Sequence, residues 1–420
     1  MSSRFLPVKQ ALSLTRFHIA RALSISLTIN LSISLGMSLS SNSYSGETSG
    51  YIGAELRYFP STGLIDSQKK FNASASGYLE YTHDYAEGEQ RIGATLFARA
   101  DSTDAERSHE DIRELYWWKN FGSFELYAGV RKVFWGVTES VHLVDILNQS
   151  DTLENIDNED KMGQAMIQLV RPSDWGTFSA FVLPYFRERE FPGSDGRLRA
   201  SIPISQDAHY QSGAEQQHVD YALRWSHYIG VWDIGLSYFS GTNRAPVLLP
   251  EISQEQTLFL RPHYQQISQA GLDLQATIDA WLLKLEAIHV DERNHGSNTA
   301  LVTGFEYTLY NLWDRNHDLG LVLEYQLDDR TGSRQNISQN DLVMGARWAF
   351  NDVNGSELLA LASQDLDSSN RFFSVEAKRR INDDWKLSLE ARMFSAIEID
   401  TIEFDLRKDH YLQLELRRYF

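Results

Sequence analysis

The 420-residue chain contains no cysteine. That excludes a disulfide framework, a thiolate metal site and an amino-terminal lipoprotein anchor. Beyond residue 39 it also lacks any run of about 18 uncharged apolar residues, the length a helix needs to cross a bilayer. With a mean hydropathy of -0.38, this excludes a helical membrane bundle, which would show several such runs. Missing too are Gly-x-Ser-x-Gly, a His-x-x-x-His pair, a Walker loop and a dinucleotide fingerprint. The histidines, among them His83, His142, His227, His289 and His410, therefore sit in no recognisable catalytic or metal-binding context. No enzyme activity, metal or cofactor is expected. Acidic residues number 57 against 39 basic, for a net charge of -18, and no nucleic-acid partner is expected.

At the amino terminus Arg4, Lys9, Arg16 and Arg21 precede an uncharged stretch from Ala22 to Leu39 and then small, Ser-rich residues. The pattern reads as a secretory signal over residues 1–43, cleaved near 40–43. A single membrane-spanning helix is the competing reading, since about 18 uncharged residues can cross a bilayer.

Residues 44–420 alternate apolar and polar side chains in about eighteen segments, from 50–58 to 410–420. A period of two is the mark of a strand with different surroundings on its two faces. Only a closed barrel can span a membrane with half of each strand polar, because closure pairs every backbone group. The links alternate in length. Short turns rich in Gly, Asn, Asp and Pro fall at 120–122, 172–174, 229–230, 279–280, 351–354 and 382–384. Long ones fall at 133–161, 185–216 and 241–266. The expectation is an all-β transmembrane antiparallel barrel with both termini periplasmic, its long loops extracellular. Trp117, Trp118, Trp175, Trp225, Trp232, Trp281, Trp313, Trp348 and Trp385 lie in or near the short links. There an indole girdle would sit at the headgroups.

Strand parity turns a charged set inward: Arg99, Glu125, Arg131, Arg224, Lys284, Glu286, Glu324, Arg347, Glu376, Lys378, Arg380, Lys386, Glu390, Arg392, Glu415 and Arg417. These would line a water-filled lumen and select solutes by sign and size. Alternatively, they are solvated faces stabilised by cross-strand ion pairs. An energised importer is excluded, because a strand near residue 50 leaves no room for a plug domain.

The last strand alternates Tyr411, Gln413, Glu415 and Arg417 with Leu412, Leu414 and Leu416 and ends on Phe420. It resembles the closing strand of bacterial outer-membrane barrels, whose terminal aromatic is read by the assembly machinery. Gly129-Val130-Arg131, then Trp135-Gly136 ahead of an acidic loop, resembles a segment recurrent in large proteobacterial porin-like barrels, including the alginate-export family. That resemblance implies a loop dipping into the lumen as a constriction. Trp135, Asp145, Asp151, Glu154, Asp157, Glu159 and Asp160 would belong to it, with Arg187, Arg189, Arg197 and Arg199 of the next long loop facing it across the pore. The other reading is a surface loop whose acids bind divalent ions bridging lipopolysaccharide. Function is expected to be passive diffusion of small hydrophilic solutes across the outer membrane of a Gram-negative bacterium. Its partners would be membrane lipid, lipopolysaccharide and the assembly machinery, with a homo-oligomer open. Passage of an anionic oligo- or polysaccharide is the alternative, and a barrel enzyme comes after it.

Overall fold

In the computed structural model, residues 46–293, 296–332, 338–399 and 401–420 are described. The expected secretory signal lies outside them. Eighteen antiparallel strands form one sheet that begins at Glu47–Tyr58 and ends at Tyr411–Tyr419. These two strands pair with each other, Tyr51 opposite Tyr419 and Tyr58 opposite Leu412, so the sheet is a closed barrel with no free edge. Among the described residues no helix is long and apolar enough to cross a membrane.

Alternation explains the pairing. In Tyr411–Tyr419, Tyr411, Gln413 and Glu415 are buried in the interior while Leu412 and Leu414 are exposed outside. A register slip of one residue would exchange the two sets, which fixes the ladder. The outer face carries further exposed apolar side chains, including Leu56, Leu236 and Leu321. Short connections collect at one end of the barrel, with both ends of the barrel sheet beside them. Asp279 (φ 52°) and Gly230 (φ 64°) supply the left-handed backbone that two-residue hairpin turns require.

Two departures from plain alternation matter for the interior. Between Gln90–Asp101 and Glu110–Asn120, Thr95 opposes Glu114 and Leu96 opposes Ile112. Arg113 is the extra residue of a bulge, and it reaches inward beside Glu114. Within the long loops, His209–Tyr210, Val247–Ile252 and Leu258–Tyr264 form a separate three-stranded sheet. These segments fall within the long links at 185–216 and 241–266, where the sequence predicts loop.

Eight of the nine tryptophans near the short links lie on the outer face or in turns, as with Trp175 (80% exposed) and Trp313 (66%). Trp118 departs from the expected girdle. It turns into the barrel, where its Nε1–H donates to Glu125 and its ring packs on Tyr127, because the bulge at Arg113 reverses the parity of the residues after it.

Candidate functional site: a loop seated inside the barrel

Residues 132–163, between Glu125–Arg131 and Gln164–Ser173, fold into the barrel. Entry depends on Gly129, whose φ is +136° and where a Cβ would lie 2.2 Å from the Leu115 carbonyl oxygen. No side chain fits there. Asn148 closes the base of the loop: its Oδ1 accepts from the Val133 N–H, while its Nδ2 donates to the carbonyls of Arg131 and Met162.

Three sets of interactions hold the loop down. On one side Val144, Ile146, Leu147 and Trp135 pack against inward apolar residues, among them Phe181, Phe239, Ile267, Ile288 and Val290. Burial of such side chains contributes roughly 1.5–3 kcal/mol each. Beneath it, Glu286 accepts the N–H groups of Val137 (2.7 Å), Thr138 (3.0 Å) and Val144 (3.2 Å). Glu324 accepts those of Glu139 (2.8 Å) and Ser140 (2.9 Å). Toward the loop tip, Arg99 grips both oxygens of Glu154 at 2.6 Å and also meets Glu55 at 3.0 Å, and Arg113 meets Asp151 at 2.5 Å. Charges this enclosed persist only when paired, and removing one partner costs about 3–5 kcal/mol.

Between the seated loop and the strands from Asn340–Ala349 round to Glu47–Tyr58 remains a polar cavity of about 500 Å³. All sixteen inward-assigned charges stand on the inner face, but their surroundings differ. Arg99, Arg347, Glu376, Lys378, Lys386, Glu390, Arg392, Glu415 and Arg417 line the cavity. Glu286 and Glu324, 0% and 1% exposed, are sealed beneath the loop as its anchors. Arg224 is locked on Asp273 at 2.7 and 2.8 Å and lies over the Trp135 ring, Lys284 is buried near Glu139, and Arg131 stacks on Tyr127. Glu125 and Arg380 lie outside the cavity, near the short-turn end.

The loop residues divide in the same way. Glu154, Asp157, Glu159 and Asp160 line the cavity. Trp135 does not: it is 8% exposed in the apolar cluster, edge-on to Phe181. Asp145 accepts the N–H groups of Trp135 and Gly136, and Asp151 is held by Arg113 and His109. The expected cations of the next loop do not face the acids across a gap. Arg187 binds Asp111 at 2.5 Å, Arg189 donates to Gln149, Arg197 binds Asp409 at 2.6 Å, and Arg199 donates to the carbonyls of Ala200 and Gly193. A contact at bonding distance outweighs a weaker attraction across water. The basic side of the cavity comes instead from the wall. There Arg57, with Glu55 and Glu357, adds to the expected set, and strand parity turns Arg57 inward.

Electrostatics sorts the loop acids into two groups. Burial opposes ionisation of Glu154 and Asp151, yet Arg99 holds the first, and His109 with Arg113 the second, below the usual carboxylate range. Glu159 and Asp160 lack such partners. Enclosure by the wall, then Asp157 and Glu376 beside Glu159 and Glu154 and Asp157 beside Asp160, pushes each up to about 7. Both still present surface to the lumen water. Among the described residues no group of His, Asp or Glu is arranged to hold a metal ion.

No family model matches the chain, and no curated protein matches it. Solved structures do. A variant of Rhodopseudomonas blastica porin is 13% identical over 89% of this chain and 100% of that one, with a TM-score of 0.45. A second variant of the same porin is 14% identical with the same coverage and a TM-score of 0.44. A structure described under asymmetric conductivity of engineered proteins is 13% identical, again over 89% and 100%, with a TM-score of 0.43.

Proposed function

We propose that the protein is a porin-type outer-membrane channel through which small hydrophilic solutes diffuse passively, narrowed by the seated loop. The observation that carries this reading is the contrast between the two faces of one closed sheet. Outside it presents exposed aliphatic side chains, and inside it encloses a charged cavity of about 500 Å³. In a bilayer the first face meets lipid and the second holds water. In this reading the short-turn end faces the periplasm and the long loops meet lipopolysaccharide. The leader over residues 1–43 directs export, and the closing strand engages the assembly machinery. The seated loop favours passage limited by size, because it occupies much of a lumen that a barrel of this strand number would otherwise leave open. Liposome swelling tests it. Proteoliposomes should swell in a pentose and resist a tetrasaccharide, and an absence of swelling in any solute would count against diffusion.

A further inference from the structure

The charges around the cavity do not all neutralise one another. Sixteen acidic and basic side chains line it, and thirteen stand in ion pairs. Among the described residues the other three, Lys386, Glu159 and Asp160, have no ionic partner. They come from different elements: Lys386 from the strand Trp385–Ser395, and the two acids from the inserted loop, which meets that strand farther along at Glu390 and Arg392.

On the wall side the unpaired group is a cation with further cations beside it. Lys386 lies directly across the strands from Arg380 and from Arg417, and like charges in opposed cross-strand positions raise the energy of a sheet. Arg380 has no ion pair among the described residues. Arg417 reaches Glu415 at 2.8 Å but leaves its Nε without an acceptor. Next to it the Glu415 side chain, only 6% exposed, leaves Oε1 without a donor. On the loop side, Glu159 and Asp160 are acceptors without donors. A lone anion would relieve the wall and face two unpaired carboxylates, and a lone cation would do the reverse. Only a solute carrying both signs satisfies both sides.

We propose that the cavity is a binding site for zwitterionic solutes of amino-acid to short-peptide size. The solute carboxylate sits on Lys386 beside Arg417, and its ammonium on Glu159 and Asp160. A volume of about 500 Å³ is within the range of small-molecule sites, roughly 300–1,000 Å³. The inference rests on the channel reading for its biological meaning, though binding itself does not require conduction.

Calorimetry on the full barrel refolded in detergent decides it, with glycine, 4-aminobutyrate and 6-aminohexanoate compared with butyrate and butylammonium. At least one zwitterion should bind about tenfold or more tighter than both single-charge analogues, and the preferred chain length measures the span between the two charged sides. Lys386→Gln should abolish that preference, and so should Glu159→Gln combined with Asp160→Asn. Butyrate binding as tightly as the zwitterions would reduce the site to an anion site and overturn the proposal. Equal binding of butylammonium, or no binding at all, would overturn it as well. Conductance recorded on the same preparation separates the two readings. Zwitterion binding without current would sink the channel alone, and current without zwitterion preference would sink the binding site alone.

Discussion

Alanine at both Glu286 and Glu324 is expected to raise single-channel conductance roughly twofold or more, because the loop that narrows the lumen loses both of its wall anchors. Glu286 holds three backbone N–H groups and the Thr138 hydroxyl, and Glu324 two N–H groups and the Ser140 hydroxyl. A hydrogen bond to a charged group contributes about 1.5–3 kcal/mol, so each anchor outweighs any single apolar contact of the loop. Each alanine alone should do less than half of what the pair does, since Val144, Ile146 and Leu147 and the remaining carboxylate still seat the loop. Glutamine at both positions is the informative control. It keeps volume, but its amide NH₂ competes for a place among N–H donors, so it should fall between wild type and alanine. Deleting 151–160 should raise conductance in the same direction. An unchanged conductance in all of these variants would mean that the apolar cluster alone holds the loop, or that the loop does not limit the current.

A second large effect is expected from pH. Of the sixteen charges lining the cavity, seven are basic and nine acidic, so the lining is net -2 when all are ionised. Glu159 and Asp160 titrate near 7, and their protonation brings the net to zero. A modest cation preference at pH 8 should therefore be lost by pH 5, measured as reversal potential under a salt gradient. The groups around Glu159 are Asp157, Glu376, His142 and Glu139, and those around Asp160 are Glu154, Asp157, Asp151 and Arg113. Of the carboxylates in that set, Arg99 holds Glu154 and His109 with Arg113 holds Asp151 below the usual range, and Asp157, raised by burial, is paired with Arg392, so the two unpaired acids carry the largest part of the change. Linkage gives the sign for loop seating. A carboxyl whose value is raised in the folded state holds its proton more tightly there than in the free chain. Seating is accordingly strongest below about pH 4.5, weakens as pH rises to about 7, and is flat above that. Replacing Glu159 with Gln and Asp160 with Asn should remove the pH dependence of selectivity. Its persistence in that variant would assign the effect to other groups.

The strands were legible because their two faces meet different surroundings. Leu412 and Leu414 against Gln413 and Glu415 is a pattern that only one register satisfies, and the alternation of short and long links follows from antiparallel closure. The inward set was legible for the same reason, since parity places a side chain on a face. Parity does not say what the side chain meets there. Glu286 and Lys386 have the same sequence signature, an inward charge in an alternating strand, yet one is sealed under the loop by backbone donors and the other faces the cavity. The difference lies in residues 137–144, about 140 positions away from Glu286, and no local pattern encodes it. Trp118 was misplaced because a bulge adds one residue without changing composition. The motif resemblance implies a pore position for Trp135, whereas the apolar inward positions of neighbouring strands, Phe181 and Ile288 among them, draw its ring out of the water. Those positions carried a usable signal. Where Ile288 and Val290 follow Lys284 and Glu286 on the inward parity, the inner face of that strand turns apolar, and something apolar must cover it.

The most direct test of a loop-narrowed, water-filled channel is single-channel conductance of the refolded protein, without residues 1–43, in a planar bilayer. Discrete steps on the order of tens of picosiemens or more, with a modest ion preference that weakens at low pH, are the expected result. A folded barrel that inserts and passes no current would contradict the channel.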